Sequence, residues 1–329
     1  MHRSIRKAPT RLATVMTWLF GVLLFAGVIA VMVHFSELRE LERLLRSLEA
    51  RWLLVAVATQ TATYFCAAGV WQAALRREHQ HVGFLSLVRL ALVLLFTNQA
   101  LPSAGLSGGA VVVEALRRRH VPAKYAMGAL LIGLLTTYIA YLVALPLSLV
   151  LLRVYHELRM TVVVAMAGFS VIAVGVPAMV LWYRRAMPRR LRKRLTHVPG
   201  IGPLLDAVGR APARLLRDRG VIHRAVLLQF AELVLDAATL GIMLAALNVR
   251  PAPTAVFGSY VTASAVSQLI PVPLGLGGFE AVLVVMLRSV GMSLEVAITA
   301  TLLFRGFTFW LPMLPGLLFA RKELGSARA

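Results

Sequence analysis

The chain has 329 residues, 59% of them apolar, and a formal net charge of +21. That composition excludes an ordinary soluble domain and places the chain among integral membrane proteins. Its basic residues sit between apolar runs, so the charge points to anionic lipid surfaces and away from nucleic acid.

In chain order, Arg3, Arg6, Lys7 and Arg11 precede an apolar run that is too long for a signal-peptide core and is followed by no small-residue cleavage site. It reads as a retained first helix. Runs of about 20 apolar residues, the length that spans hydrocarbon, fall near 14–34, 52–75, 125–152, 161–183, 223–247 and 295–320. Between the first two, Leu38, Leu41, Leu44, Leu45 and Leu48 share one helical face opposite alternating Glu and Arg, as in an amphipathic helix on the outer surface. The lone cysteine, Cys66, lies inside an apolar run, which leaves no disulfide framework or thiolate site. His79 and His81 are two apart and share no helix face, so neither a metal nor another cofactor is expected.

Two further apolar segments, 84–119 and 254–291, are broken at their centres. The breaks are twins. Gln99, Pro102, Gly108 and Gly109 match Gln268, Pro271, Gly277 and Gly278 at one constant offset. Proline and glycine do not sustain a regular helix. Non-helical backbone at membrane depth is tolerated only where protein or a water-filled cavity satisfies its polar groups. Interrupted segments in matching places of two halves point to a transport site.

Basic residues set the topology. With the N-terminus inside and both broken segments folded as hairpins, most basic residues fall on the inner side. These include Arg76 and Arg77, Arg89, Arg117, Arg118 and Arg119 with Lys124, the loop from Arg184 to Arg224, and Arg321 with Lys322. The expected fold is an all-α polytopic membrane protein of six spanning helices plus two opposed re-entrant hairpins in an inverted repeat. It divides into 1–51, the first helix and outer amphipathic helix; 52–152, the first repeat; 153–222, a linking helix and basic loop; 223–320, the second repeat; and 321–329, a tail. Both termini then lie in the cytoplasm.

Several charges fall inside spans. Glu232 and Asp236 are four apart and share one helix face. A charge at the bilayer centre costs at least about 2.5–3.5 kcal/mol, so such a pair marks either a buried structural ion pair or a cation, proton or amine site. Arg305, in the last span, is their expected counter-charge. Glu280 follows Gly277, Gly278 and Phe279, where it can cap a helix start, pair with Arg305 or meet substrate. Free backbone N–H groups at the glycine motifs suit a phosphate. Arg117, Arg118 and Arg119 suit interfacial anchoring or a headgroup, and the tryptophans lie mostly toward span ends. No P-loop, H-E-x-x-H or G-x-S-x-G motif is present, so no enzyme is expected.

The GGAVVVEALRRRHVP stretch, the P-x-G-x-G-G-x-E loop from Pro273 to Glu280, and Arg305 ten residues before Pro315 resemble the flippase-like membrane domain of the lysylphosphatidylglycerol synthase/flippase family. The resemblance covers roughly 50–320. It implies a lipid translocase, or an accessory to one, in a bacterial or archaeal cytoplasmic membrane. Moved lipids would be phospholipids, hopanoids or polyprenyl-phosphate-linked lipids, with Pro273, Gly275, Gly277, Gly278, Glu280 and Arg305 in a central cavity. His120 departs from the resemblance, standing where an Arg-Arg-Gly-Val turn is expected. The chain also ends without an aminoacyl-transferase domain, so it is not expected to make lysyl-lipid. Expected partners are anionic or phosphate-bearing membrane lipids and a lipid-modifying enzyme. The alternatives are an ion-coupled transporter of a small solute, or a non-transporting subunit of a lipid-modifying or glycosyl-transferring system.

Overall fold

A computed structural model of the chain describes residues 50–100, 106–153, 160–185, 187, 208–209, 211–269 and 277–325. The expected first span at 14–34, the amphipathic helix after it, and Pro102, Pro271, Pro273 and Gly275 lie outside the described residues. What is described is helical. The helices are α1 (Ala50–Arg77), α2 (Phe84–Ala100), α3 (Leu106–Arg118), α4 (Ala123–Arg153), α5 (Met160–Arg185), α6 (Arg219–Ala246), α7 (Pro253–Ser267), α8 (Gly278–Ser289), α9 (Leu294–Arg305) and α10 (Leu311–Gly325). A π turn, Gly306–Trp310, joins the last two. Five described segments are long and apolar enough to cross a membrane: Arg51–Arg77, Ala123–Arg153, Val162–Arg184, Arg219–Ala246 and Leu294–Glu323. The chain is therefore a multi-pass membrane protein.

Local chemistry sets the helix ends. Asp218 accepts a hydrogen bond from the Val221 N–H at 3.0 Å and caps α6. Pro253 opens α7, where a missing N–H costs nothing. Helix α6 closes with the Val249 N–H donating to the Leu244 carbonyl at 3.0 Å, and Asn248 takes φ 59°. After α3 the same closure places His120 at φ 64°. That left-handed conformation is why a glycine is expected there. In the last span, Pro312 and Pro315 cannot donate to the preceding turn, and the π turn lies just before them.

The helices bury two main cores. One joins the end of α1, the start of α2, the end of α3, the start of α4 and the start of α6, through Leu75, Leu87, Leu116, Ala126 and Val221. Trp71 is 4% exposed inside it, so this tryptophan packs a core and does not stand in an interfacial belt. The other core joins the end of α4, the end of α6, α7, α8 and the start of α9, through Leu145, Leu244, Val261, Leu283 and Ala297.

The pairing of helices has a regularity of its own. Helix α1 packs along α6; α2 packs on α3, α1 and α10; α7 packs on α8, α6 and α4. Exchanging α1 with α6, α2 with α7, α3 with α8, and α4 with the last span carries these pairings onto one another.

At the first core's end of the molecule, polar ties join elements distant in sequence. Arg77 pairs with Asp218. Arg119 pairs with Glu323, donates to Ser86 Oγ at 2.8 Å, and so ties the end of α3 to the start of α2 and to α10. Arg184 donates to the carbonyls of Val208 and Ala211.

Candidate functional site

Between the two cores lies a cavity of about 580 Å³ to which most of the described helices contribute. Helix α1 supplies Gln60, Thr63 and Tyr64, α4 supplies Thr137 and Tyr141, and α6 supplies Glu232 and Asp236. Helix α7 and the turn after it add Tyr260, Ser264, Ser267 and Gln268; α8 adds Gly278 and Phe279. Phe304, Arg305 and Thr308 from the last span and Leu95 from α2 complete it.

Arg305 is held from several directions. Its Nε donates to Glu280 Oε1 at 2.5 Å, and its guanidinium lies 4.5 Å from the Phe279 ring centre and 5.4 Å from that of Phe309. Aromatic faces favour a cation that is poorly hydrated. Glu280 works twice, because its Oε2 accepts from the Gly277 N–H at 2.7 Å at the start of α8. Gly277 has φ 93°, which only glycine adopts readily, and this bends the entering chain so that its N–H meets the carboxylate. Capping and pairing, which the sequence offers as alternatives for Glu280, are thus performed together by its two oxygens.

The acidic pair differs from its expected pairing. Arg305 reaches Glu280, and among the described residues no basic side chain lies within ion-pair distance of Glu232 or Asp236. The Tyr260 hydroxyl instead donates to Asp236 Oδ2 at 2.7 Å. Tyr260 is itself fixed edge-on to the rings of Phe279 and Phe304. Two carboxyl groups thus face a shared cavity from a membrane-spanning helix, where an uncompensated charge is expensive.

The first break is built differently. A Cβ on Gly108 would lie 2.2 Å from Asn98 Oδ1 and 2.8 Å from Leu94 Cδ1, so its glycine lets α3 close on α2. A Cβ on Gly109 would meet only Leu130, at 3.7 Å. Neither glycine lines the cavity, whereas Gln268 and Gly278 do. Among the described residues, the side-chain oxygens of Gln60, Asn98 and Gln99 are buried without a hydrogen-bond donor. Gln99 is therefore placed in the fold with an acceptor to spare.

Arg117, Arg118 and Arg119 lie away from the cavity. Arg117 and Arg118 contact Glu114, Arg118 also donates to the Glu323 carbonyl, and Arg119 pairs with the Glu323 side chain. Their contacts staple α3 to α10 at one end of the molecule.

Gln60, Tyr64, Tyr141, Tyr260 and Ser264 carry the cavity's polarity yet escape motif reading. Tyr141 and Ser264 share a hydrogen bond of 2.6 Å. One signal was available: Gln60 and Gln229 recur at the offset of the twin motifs. The Gln229 Oε1 accepts from Thr137 Oγ1 at 3.0 Å, in line with the cavity wall.

The family model described as "Lysylphosphatidylglycerol synthase TM region" matches residues 18–316. No curated protein matches the chain.

Proposed function

We propose that this chain, which belongs to the family of lysylphosphatidylglycerol synthase TM regions, moves a lipid headgroup between leaflets through the cavity around Arg305. The observation that carries this reading is the cavity's division of charge. Glu232 and Asp236 stand on one wall, and Arg305 with its Glu280 partner stands on another. A headgroup with both an amine and a phosphate meets complementary charge on each side.

The geometry suggests how binding is linked to movement. A phosphate that approaches Arg305 competes with Glu280 for the guanidinium. Glu280 also caps α8 through Gly277, so a change of partner at Arg305 reaches the second helix break directly. The exchangeable helix pairings support an inverted repeat, with 84–119 and 254–291 entering from opposite faces as hairpins. The tie between Arg119 and Ser86 supports the first hairpin, because it joins that segment's two ends. On this reading the chain translocates lipid and does not synthesise it, and its two termini share the cytoplasmic side.

The test is leaflet exchange of headgroup-labelled lipids in liposomes that hold the purified chain, with and without a proton gradient. The comparison uses zwitterionic, aminoacylated and polyprenyl-phosphate headgroups. Arg305→Gln should abolish exchange, whereas Glu232→Gln should slow aminoacylated lipids most. Full exchange in Arg305→Gln overturns the site assignment. Uptake of a soluble solute driven by the proton gradient, with no lipid exchange, would favour an ion-coupled transporter, for which the acidic pair, with no basic partner among the described residues, is the supporting observation.

A further inference from the structure

Helix α6 separates the polar cavity from a second, apolar one. Glu232 and Asp236 face the first, while Val234, Ala238 and Gly241 line the other on a different stripe of the same helix. The second cavity holds about 610 Å³, within the roughly 300–1,000 Å³ typical of ligand pockets. Leu147 from α4 and Phe230 and Phe257 from α6 and α7 form the rest of the apolar wall that matters here. Leu147 and Val234 are 41% and 42% exposed, so the groove opens sideways, toward hydrocarbon in a membrane-spanning fold.

Its mouth is polar. Trp52 stands there from the start of α1, with the Arg51 guanidinium stacked 5.6 Å above its ring. Arg250 lines the same cavity from the turn between α6 and α7. The left-handed Asn248, the Val249 to Leu244 hydrogen bond and the prolines at 251 and 253 set that turn rigidly. Arg250 is exposed and, among the described residues, makes no hydrogen bond or ion pair, so its guanidinium can meet an anion without giving up another partner.

We propose that this groove holds an acyl chain of an anionic phospholipid, whose phosphate is bound at Arg250. The occupant follows from complementarity at both ends. The wall accepts only a hydrocarbon chain, and an exposed guanidinium at interfacial depth accepts an acidic head. A free solute lacks the first part, and a neutral lipid lacks the second. This is a binding site separate from the proposed translocation path, with α6 as the wall between them.

Native mass spectrometry tests it on the full chain, equilibrated in detergent with equal amounts of phosphatidic acid and diacylglycerol of identical acyl chains. Wild type should retain phosphatidic acid about tenfold over diacylglycerol, the scale of one charge-assisted contact. Arg250→Gln should bring that ratio close to one while total retention persists. Ala238→Phe fills the exposed wall and should lower the retention of both lipids. Equal retention by wild type, an unchanged ratio in Arg250→Gln, or full retention in Ala238→Phe each overturns the proposal. The readout is equilibrium binding, so its failure is distinguishable from a failure of leaflet exchange.

Discussion

Glu280→Gln is the most informative single change, because it removes a charge and almost no shape. The replacement amide oxygen can still accept from the Gly277 N–H, so the cap on α8 survives and the loss falls on Arg305. Removing one partner of a buried ion pair costs about 3–5 kcal/mol. With side chains that are 11% and 17% exposed, Glu280 and Arg305 belong at the lower end, about 3 kcal/mol. The reverse change, Arg305→Gln, should cost less, about 1–2 kcal/mol, because a carboxyl group can take up a proton while a guanidinium cannot lose one. The double variant faces amide with amide and should recover much of the loss, with a coupling of about 2 kcal/mol. Thermal unfolding of the four proteins in one detergent at one heating rate reads the order. If Arg305→Gln is less stable than Glu280→Gln, or if the two losses simply add, the pairing does not hold Arg305 in place.

Other substitutions probe other parts of the structure. Gly108→Ala should destabilise by about 1–3 kcal/mol through collision with Asn98 and Leu94, whereas Gly109→Ala should be close to neutral; the same unfolding assay separates them. His120→Gly should raise stability by up to about 1 kcal/mol, since it removes a side chain from a residue at φ 64°. The Asp218 carboxyl is held below the usual carboxylate range, first by the Arg77 side chain and then by the Val221 N–H. Its stabilising effect is therefore complete above the unfolded value of about 3.9 and fades as pH falls through the lower folded value. Asp218→Asn should flatten the acid limb of the stability profile in that window, and an unchanged limb would assign the acid sensitivity elsewhere.

Five of the expected spans were legible because an apolar run of membrane length leaves few alternatives to a spanning helix. The start of α8 at Gly278 was legible for the opposite reason, since glycine marks where a helix begins or ends, whereas Gly108 and Gly109 fall inside α3 and interrupt nothing. Partnerships were harder. Arg305, Glu280, Glu232 and Asp236 all stood out as charges inside spans. Which of them meet depends on the angle at which α8 leaves Gly277, and φ 93° turns Glu280 toward Arg305. The cavity's tyrosines and glutamines were hidden because such residues are common in apolar helices and gain meaning only from the face they share. His120 was legible as an anomaly, and its left-handed backbone supplies the reason.

The two cores and the charges between them bear on how such a fold can work. Each break belongs to its own core: α2 and α3 pack in the first, α7 and α8 in the second. Helices α1 and α6 run together through the middle and present Gln60, Glu232 and Asp236 to the cavity. The cores are not separable, because α4 and α6 contribute to both, through Ala126 and Leu145 and through Val221 and Leu244. Across the cavity α1 packs along α6, α2 on α10 and α4 on α7, so the two halves meet over long helix faces. Tyr260 bonded to Asp236 and Arg305 bonded to Glu280 both lie among α6, α7, α8 and the last span, so one half holds these charges in a single arrangement. The other half faces them with Gln60 from α1, whose side-chain oxygen has no hydrogen-bond donor among the described residues.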